Sequence, residues 1–432
     1  MSAKAPPPYP VKRMCLKDID DVGHLLTIAW IHDLKWRGDE LFLTLRDGTA
    51  VKEFKVVKGR ELLKNLPCES IVQVKGHVKK DELKIEELKV IVKAPGKMPI
   101  DIRNPAPEDV ERFTKYSYLV LRSPRYAKML VVQQWLVYYA REFLIGRGFI
   151  EALPPMISPC SDPGLRGAKK LRTRLYGYEY ELMSSVIMFK QALASSLERI
   201  FFVARNVREE PADNLKTGRH LCEFTQIDIE WAFASMWDVM KLAEEMLKYT
   251  IEKVMDRCKS IIEEFNPDLK APSPPFKALT YEEAVELLRD HGVETPKGKE
   301  LTQEGERVLS SMFDEPIWIT HYPKTSRGFY YIEAPEAPGH NRDFNLLLPK
   351  GYGEVIDGGE REYRLDKIIE RLKLMGEDPT RYSWFLDLAR IGIPPSAGFG
   401  LGVERLTRYV LGLKYIWEAV PFPKVPGIAP TP

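Results

Sequence analysis

The 432-residue chain is too long for one ordinary domain and predicts two or three domains. With 44% apolar and 29% charged residues, it can bury a substantial core beneath an ion-rich surface. A net charge of only +2 excludes a protein that coats nucleic acid by bulk attraction, although a local basic patch could still bind RNA.

The five cysteines form no CxxC pair and show no metal-ligand spacing, a pattern typical of a reducing compartment. Residues 1–20 are polar and proline-rich, without a signal-peptide pattern, and predict a flexible lead-in. The most apolar helical stretch, 129–146, is interrupted by polar and charged residues, so it cannot span a bilayer. We therefore expect a cytoplasmic protein.

Residues 21–95 contain short runs of alternating apolar residues separated by tight turns, which predicts a small antiparallel β-barrel. The proline-rich residues 96–112 predict a stiff linker. From 113 to 432, strands, hairpins and helices alternate without βαβ regularity, so we expect an α+β domain in which helices flank an antiparallel sheet. Within it, the polar residues 255–315 predict a helical insertion.

A glycine-rich stretch near the C-terminus, SAGFGLGVERL, places Gly398, Gly400 and Gly402 at alternate positions. Glycines at every second residue of a strand allow a flat ligand to lie directly against the backbone. Arg405 follows on the predicted next helix, where its planar, permanently charged group can bind phosphate oxygens. The pattern therefore predicts a nucleotide-binding surface, although tight packing alone could also explain the glycines.

A second charged segment, upstream at 199–233, predicts two buried strands joined by a long polar loop. Arg208 and Glu210 follow the first strand, and His220 and Phe224 lie at the start of the second. The hairpin would bring a cation, a carboxylate and an aromatic ring around one space. An aromatic face can stack on a base, and an arginine can offset charge that develops on phosphorus.

These two segments, with IGRGFIEALPPMI at 145–157, resemble the three signatures of class II aminoacyl-tRNA synthetases in their usual order. The resemblance covers roughly residues 113–432. The runs at 318–335 and 346–363 are similar to the asparaginyl branch of the aspartyl/asparaginyl/lysyl group. The resemblance implies a ligase that forms an aminoacyl-adenylate from ATP and works as a homodimer, because the first signature belongs to the dimer interface of that class.

The resemblance also implies the roles of residues around ATP. Arg208 would neutralise the α-phosphate, Phe224 would stack on adenine, and Arg405 would hold the adenine or the γ-phosphate. Glu354 would hold Mg²⁺, which prefers a carboxylate shared with phosphate oxygens. The group's second acidic ligand has no counterpart, because Asn345 stands in its place with Asp343 nearby. The remaining residues implied to contact ATP are Glu210, His220, Gly398, Gly400 and Gly402.

The amino-acid pocket implied by the resemblance contains Arg361, which would bind the substrate side chain. Its other members are Asp162, Ser185, Lys190 and Asp228. Lys190 is the discriminating residue, because a buried lysine without a counter-charge would favour aspartate as the substrate. The alternative is an exposed lysine, or one neutralised by a carboxylate such as Asp228.

The N-terminal barrel resembles the OB-type anticodon-binding domain of the same synthetases. Phe42 would stack on an anticodon base, and Arg37 or Lys35 would contact the tRNA backbone. Where the family carries a glutamine that bonds the same base, this chain has Lys52 or Glu53.

Three functions remain open at this point. The first is an asparagine–tRNA ligase that charges tRNA(Asn). The second is an archaeal-type asparagine synthetase that converts aspartate, ATP and ammonia without tRNA, or a ligase that activates aspartate; Lys190 and Ile187, which replaces a glutamine of the tRNA-charging members, favour these. The third is an inactive tRNA-binding paralogue, which the intact Arg208, Arg405 and Glu354 disfavour.

Overall fold

The computed structural model describes residues 13–19, 22–162, 167–429 and 431–432, so most of the lead-in predicted at 1–20 lies outside the described residues. The chain divides into two compact units, Met1–Asp101 and Ile102–Pro432. This division falls inside the linker predicted at 96–112, and the predicted domain limits stay predictions.

The first unit is a closed five-stranded barrel with strand order β1-β2-β3-β5-β4, which confirms the predicted barrel. Apolar side chains at alternate positions fill its interior, as Leu41, Leu43 and Leu45 do in the second strand. The strands are β1 Val22–Arg37, β2 Glu40–Arg46, β3 Val51–Lys58, β4 Ile71–Lys79 and β5 Glu82–Val92.

One seam of this barrel differs from the antiparallel arrangement that we predicted from the sequence. Strands β3 and β5 pair in parallel, whereas the other four seams are antiparallel. Strand directions can alternate all the way around a closed ring only when the number of strands is even. A five-stranded closed barrel therefore needs a parallel seam.

The second unit contains an eight-stranded sheet, β12-β13-β14-β15-β16-β11-β10-β6, and a three-stranded sheet, β7-β9-β8. All neighbours in the larger sheet are antiparallel except at its two edges. The strands are β6 Ile150–Glu151, β7 Ile157–Ser158, β8 Arg172–Leu175, β9 Tyr178–Leu182, β10 Arg199–Val207, β11 Glu223–Ala232, β12 Lys277–Thr280, β13 Ile317–Thr320, β14 Asp343–Leu348, β15 Gly353–Glu360 and β16 Ser396–Gly402.

Helices accompany this sheet, so the predicted α+β class is confirmed. They are α1 Val110–Lys115, α2 Ser117–Val120, α3 Pro124–Gly146, α4 Ile187–Leu197, α5 Met236–Arg257, α6 Lys259–Phe265, α7 Tyr281–Asp290, α8 Gln303–Ser311, α9 Leu365–Leu374, α10 Ser383–Ile391 and α11 Val403–Val410. Within the described part of the chain, no helix combines the length and the apolar character that crossing a membrane requires.

Two long helices, α3 and α5, share one apolar core with the central strands. Proline at the first position of α3 fits a helix start, because its missing N–H would have no partner there. Val132, Leu136 and Phe143 of the predicted face are buried, and Tyr139 is half-buried. This packing provides a rigid support for strands β11, β15 and β16, which lie side by side in the sheet.

The predicted insertion, 255–315, is not only helical. Strand β12 pairs in parallel with β13 and forms one edge of the main sheet. Helices α7 and α8 bury Leu288 and Leu309 in a separate apolar cluster with Ile319 of β13. The segment is therefore packed onto the sheet that carries the candidate site residues.

Candidate active site

The predicted long-looped hairpin is confirmed as β10 and β11, which pair in register from Arg199↔Trp231 to Val207↔Glu223. The Arg208 backbone N–H donates to Cys222 O at 2.8 Å and closes the end of the ladder. The loop between the strands contains a short 3₁₀ helix that ends at Gly218, whose φ of +64° suits glycine. The hairpin thus holds Arg208 and Phe224 near each other at its end.

Most of the predicted site residues line one continuous pocket with two chambers. The first chamber contains Asp162, Ser185, Lys190, Asp228 and Arg361. The second chamber contains Phe224 and Gly402. Residues shared by both chambers are Arg208, Glu210, His220, Gln226, Glu354, Gly400 and Arg405.

The two arginines from distant parts of the sequence meet in this pocket. The Arg208 guanidinium lies 5.1 Å from the centre of the Phe224 ring, and its Nε donates to Ser184 O at 2.9 Å. Arg405 Nη1 donates to Glu354 Oε1 at 2.7 Å. Permanent positive charge beside an aromatic face is the arrangement that a nucleotide phosphate and base require.

The three alternate glycines have different surroundings. A Cβ on Gly400 would lie 2.9 Å from Asp228 Oδ1, on the pocket floor. A Cβ on Gly398 would lie 2.2 Å from Ile229 O, a backbone atom of the neighbouring strand. Gly400 and Gly402 line the pocket, whereas Gly398 does not and is required by close packing.

Two buried ion pairs form the floor of the first chamber. Lys190 Nζ donates to Asp228 Oδ1 at 3.0 Å and to Phe399 O at 3.3 Å. Arg361 Nε donates to Glu230 Oε1 at 3.0 Å. Lys190 is only 2% exposed, but it has a counter-charge. The premise of an uncompensated lysine, which favoured aspartate as the substrate, is therefore wrong.

Two atoms of this floor remain available for a ligand. Among the described residues, neither Asp228 Oδ2 nor Arg361 Nη1 has a hydrogen-bond partner, although both atoms are buried. Buried polar atoms are normally paired, because leaving one unpaired costs about 1–3 kcal/mol. The floor therefore offers one hydrogen-bond acceptor and one donor.

Asp162 lies in the wall of the same chamber. Burial raises the pKa of its carboxyl, and the charges of Arg208 and Lys170 oppose that effect. Its backbone oxygen accepts from Ser184 Oγ at 2.9 Å, and Ser184 Oγ lies 2.8 Å from Ser161 Oγ. Ser185 Oγ accepts from the Ile187 N–H at 3.3 Å. These hydroxyl groups fix the segments that follow β7 and β9, which form this part of the chamber wall.

Around Glu354, the residues Asn345 and Asp343 are both engaged by Arg327. Asn345 Nδ2 donates to Glu354 Oε2 at 3.2 Å, and Asn345 Oδ1 accepts from Arg327 Nη2 at 2.8 Å. Asp343 is fully buried and lies 3.2 Å from Arg327 Nε. Burial raises the pKa of Asp343 to about 7, against the effect of the Arg327 charge. Asp343 therefore does not line the pocket.

Several pocket residues escaped the sequence analysis, and Asp357 is the clearest case. In a regular strand, residues 354 and 357 face opposite sides. Strand β15 has a bulge at this point, because Ile356 pairs with Leu346 and Glu354 pairs with Leu347, which leaves Val355 unpaired. The bulge places Glu354 and Asp357 on the same face. The other missed residues that line the first chamber are Asn214, Gln226, Glu300, Gln303, Tyr330 and Tyr331.

On the barrel, the predicted RNA-contacting residues lie against each other. The Arg37 guanidinium is 4.3 Å from the centre of the half-buried Phe42 ring. Arg37 also forms two hydrogen bonds of 3.0 Å with the Glu53 carboxylate. An arginine that covers an aromatic ring presents a second flat surface on which a base can stack.

Comparison with known proteins identifies the family. The family model for tRNA synthetases class II (D, K and N) matches residues 109–426. The asparagine–tRNA ligase of Pyrococcus abyssi is 35% identical over 92% of this chain and 94% of its own length. That of Lactococcus lactis subsp. cremoris is 32% identical over 94% of this chain and 96% of its own length.

Solved structures agree with the sequence comparisons. The asparaginyl-tRNA synthetase from Pyrococcus horikoshii complexed with asparaginyl-adenylate superimposes with a TM-score of 0.88 at 32% identity, over 98% of this chain and 100% of that one. The enzyme from Entamoeba histolytica, at 23% identity and a TM-score of 0.84, shares the fold. The pocket geometry, the matched model and these relatives lead to one conclusion: the chain belongs to the class II tRNA synthetases of the D, K and N family.

Proposed function

We propose that the protein is an asparagine–tRNA ligase, which activates asparagine with ATP and transfers it to tRNA(Asn). The observation that carries the proposal is the two-chamber pocket, in which Arg208 and Arg405 converge beside a charge-balanced floor. Curated relatives that are 31–35% identical over nearly the whole chain carry that name.

The first step is adenylate formation. A carboxylate oxygen of the amino acid attacks the α-phosphorus of ATP, a new oxygen–phosphorus bond forms, and pyrophosphate leaves. This reaction needs positioning and charge compensation rather than a protein nucleophile. Arg208 would compensate the charge on the α-phosphate, Phe224 would stack on adenine, and His220 and Arg405 would contact the phosphates.

The floor of the first chamber favours asparagine over aspartate. The floor has two cations, and both already have a counter-charge. Lys190 pairs with Asp228, and Arg361 pairs with Glu230. The β-carboxylate of aspartate would add an uncompensated charge to this buried floor. A side-chain amide is neutral and supplies both a donor and an acceptor. Asp228 Oδ2 can accept from its NH₂, and Arg361 Nη1 can donate to its oxygen.

Mg²⁺ fits this pocket through Glu354. No group of three or more His, Cys, Asp or Glu side chains that could hold a metal occurs among the described residues. Mg²⁺ commonly binds through one or two carboxylates together with substrate phosphates, and Glu354 lines both chambers. The bound ion would neutralise phosphate charge. Hydrogen bonds from Asn345 and Arg405 hold the Glu354 carboxylate in position.

The barrel and a second copy of the chain complete the proposal. Phe42 and Arg37 would stack against an anticodon base, and Glu53 would accept a hydrogen bond from it. For the homodimer, residues 150–157 expose Ile150, Met156 and Leu153, the last at 93%. Apolar side chains that are this exposed within one short segment are consistent with a protein interface.

ATP–pyrophosphate exchange tests the proposal. Exchange that depends on asparagine, with acylation of tRNA(Asn), is the expected result. The same assay with aspartate and ammonia measures the competing reaction. Asparagine produced from aspartate and ammonia, without acylated tRNA, would instead establish an asparagine synthetase. Aspartate-dependent exchange with acylated tRNA would establish aspartate activation.

A further inference from the structure

A buried carboxylate of the second chamber, that of Glu404, is not used by the proposed reaction. Glu404 is the second residue of α11, is only 4% exposed and lines the second chamber. Both of its oxygens accept from a single donor, the Thr225 backbone N–H, at 3.0 Å and 2.9 Å. A charged acceptor is therefore committed to one backbone group of β11.

The end of the sheet explains why Thr225 needs this acceptor. Strands β11 and β16 pair as far as Gln226↔Gly402, where β16 ends, and the chain enters α11 at Val403. Thr225 lies one position beyond the last pair, and its N–H is taken up by the Glu404 side chain instead of a strand backbone. Backbone N–H groups inside proteins are almost always paired. The Glu404 carboxylate thus continues the hydrogen bonding of β11 beyond the end of β16.

This contact connects two residues that the proposed function places on ATP. Thr225 directly follows Phe224, and Glu404 directly precedes Arg405. Phe224 and Arg405 both line the second chamber, although one belongs to β11 and the other to α11. The base and the phosphates of a nucleotide are joined covalently, so the groups that bind them must keep a matching separation.

We propose that Glu404 is a positioning residue that fixes the Phe224 ring relative to Arg405, so that the two can hold the base and the phosphates of one ATP molecule. The inference rests on the proposed function, but only on its ATP-binding part. That part is the same whether asparagine or aspartate is activated.

A direct contact between Glu404 and the nucleotide is less suited to this geometry. Its carboxylate would repel the phosphates, and both of its oxygens already accept from the Thr225 N–H. We therefore expect Glu404 to act through the neighbouring ring, which a comparison of variants can show.

ATP–pyrophosphate exchange by the full-length protein provides the test. In Glu404→Ala the Thr225 N–H loses its acceptor, and the KM for ATP should rise about tenfold or more, because a hydrogen bond to a charged group is worth at least about that factor. The KM for the amino acid should stay within about twofold, since its floor lies in the first chamber. Glu404→Gln keeps one acceptor oxygen and should bring the KM for ATP back to within about threefold of the wild-type value.

A double-variant cycle shows whether Glu404 acts through the ring. Phe224→Ala alone should raise the KM for ATP about tenfold, since it removes the stacking surface. In that background Glu404→Ala should cause little further change, because no ring remains to be positioned. A further rise as large as that in the wild-type background would overturn the inference.

Glu418→Ala is the matched control. Glu418 is also 4% exposed and accepts from a backbone N–H, that of Tyr415 at 3.0 Å, but it lines neither chamber. Its removal should leave the KM for ATP unchanged. Should Glu404→Ala fold poorly, Glu404→Asp, whose carboxylate is one methylene shorter, repeats the measurement. An equal rise in the KM values for ATP and for the amino acid would assign Glu404 a purely structural role.

Failure of the proposed function gives a different result. If wild-type exchange depends on aspartate, the same cycle with aspartate tests Glu404, and the positioning role can hold while the assignment to asparagine fails. If the wild type shows no exchange, titration calorimetry with ATP alone carries the same comparison of variants.

Discussion

At the residue scale, charge pairing explains how two buried cations can form the pocket floor. Lys190 and Arg361 are each within 3.0 Å of a carboxylate oxygen of β11. An unpaired charge at such a depth would cost several kcal/mol, so each cation requires its partner. The two pairs therefore belong to the folding energetics as well as to the proposed substrate selection.

Removing one member of the Lys190–Asp228 pair should be costly. In Lys190→Met, the buried Asp228 carboxylate loses its counter-charge, and we expect the free energy of unfolding to fall by about 3–5 kcal/mol. The double variant Lys190→Met/Asp228→Asn has no unpaired charge and should recover most of this loss. Urea unfolding measures both. Lys367→Met, which removes an exposed pair with Glu370, should leave stability nearly unchanged. A double variant no more stable than the single one would contradict this account.

Asp343 should make stability depend on pH. Burial raises the pKa of its carboxyl from 3.8 to about 7, so between these values the folded state binds more protons than the unfolded state. Wild-type stability contributed by this group therefore falls as pH rises from about 4 to about 7. The Asp343→Asn variant has no such group to titrate. As pH increases from about 4 to about 7, its unfolding free energy should therefore increase relative to that of the wild type, by up to about 1.4 kcal/mol per pH unit. Denaturant unfolding at pH 5, 6, 7 and 8 tests this, and a constant difference would refute it.

The sequence predicted most of the individual pocket residues, because each lies in a short segment with a recognisable pattern. It named Asp228 as one possible partner of Lys190 but could not choose among the alternatives, because the two residues lie in different elements, 38 residues apart. It also missed Asp357, because strand alternation places that residue opposite Glu354 and only the bulge at Val355 brings the two together.

At the scale of elements, the hairpin and the glycine-rich strand were predictable, whereas the contribution of 255–315 was not. Its polar, helical pattern gives no indication that Glu300 and Gln303 line the first chamber. Arg219, in the β10–β11 loop, lies 2.8 Å from Glu306 of α8, and both side chains are buried. This ion pair links residues 255–315 to the loop that contains His220.

Breaking the ion pair between Arg219 and Glu306 should affect both stability and ATP binding. In Glu306→Gln, the buried Arg219 loses its counter-charge, and we expect a loss of about 3 kcal/mol or more in unfolding free energy. Because Arg219 lines the second chamber next to His220, the KM for ATP should rise several-fold. Glu304→Gln removes an exposed pair with Arg307 on the same helix and should leave both quantities nearly unchanged. Exchange kinetics and urea unfolding measure the two effects. If Glu306→Gln and Glu304→Gln behave alike, the Arg219–Glu306 ion pair has no specific role.

At the scale of the whole molecule, the chain contains two units with separate apolar cores. Leu43, Val74 and Ile85 belong to the barrel core, and none of them contributes to the clusters of the second unit. The barrel and the α+β sheet were both predictable from alternation and motif order. The parallel seam follows from the closure of five strands, which alternation along a single strand cannot reveal.

The fragment Ile102–Pro432 should therefore fold and retain asparagine-dependent exchange, because the pocket belongs to that unit. Acylation of tRNA should fall by about tenfold or more, since the proposed base-stacking residues lie in the barrel. Phe42→Ala in the full chain is the matched variant and should lower acylation without changing exchange. Full acylation by the fragment would disprove a role of the barrel in tRNA binding.

The position of β16 has a consequence for synthesis on the ribosome. This strand is the last of the sheet to emerge, yet it lies between β11 and β15. Until it emerges, a nascent chain exposes two long unpaired strand edges and lacks the arginine of α11. Chains terminated before residue 396 should thus self-associate rather than persist as ATP-binding fragments, so completion of translation and assembly of the catalytic centre coincide.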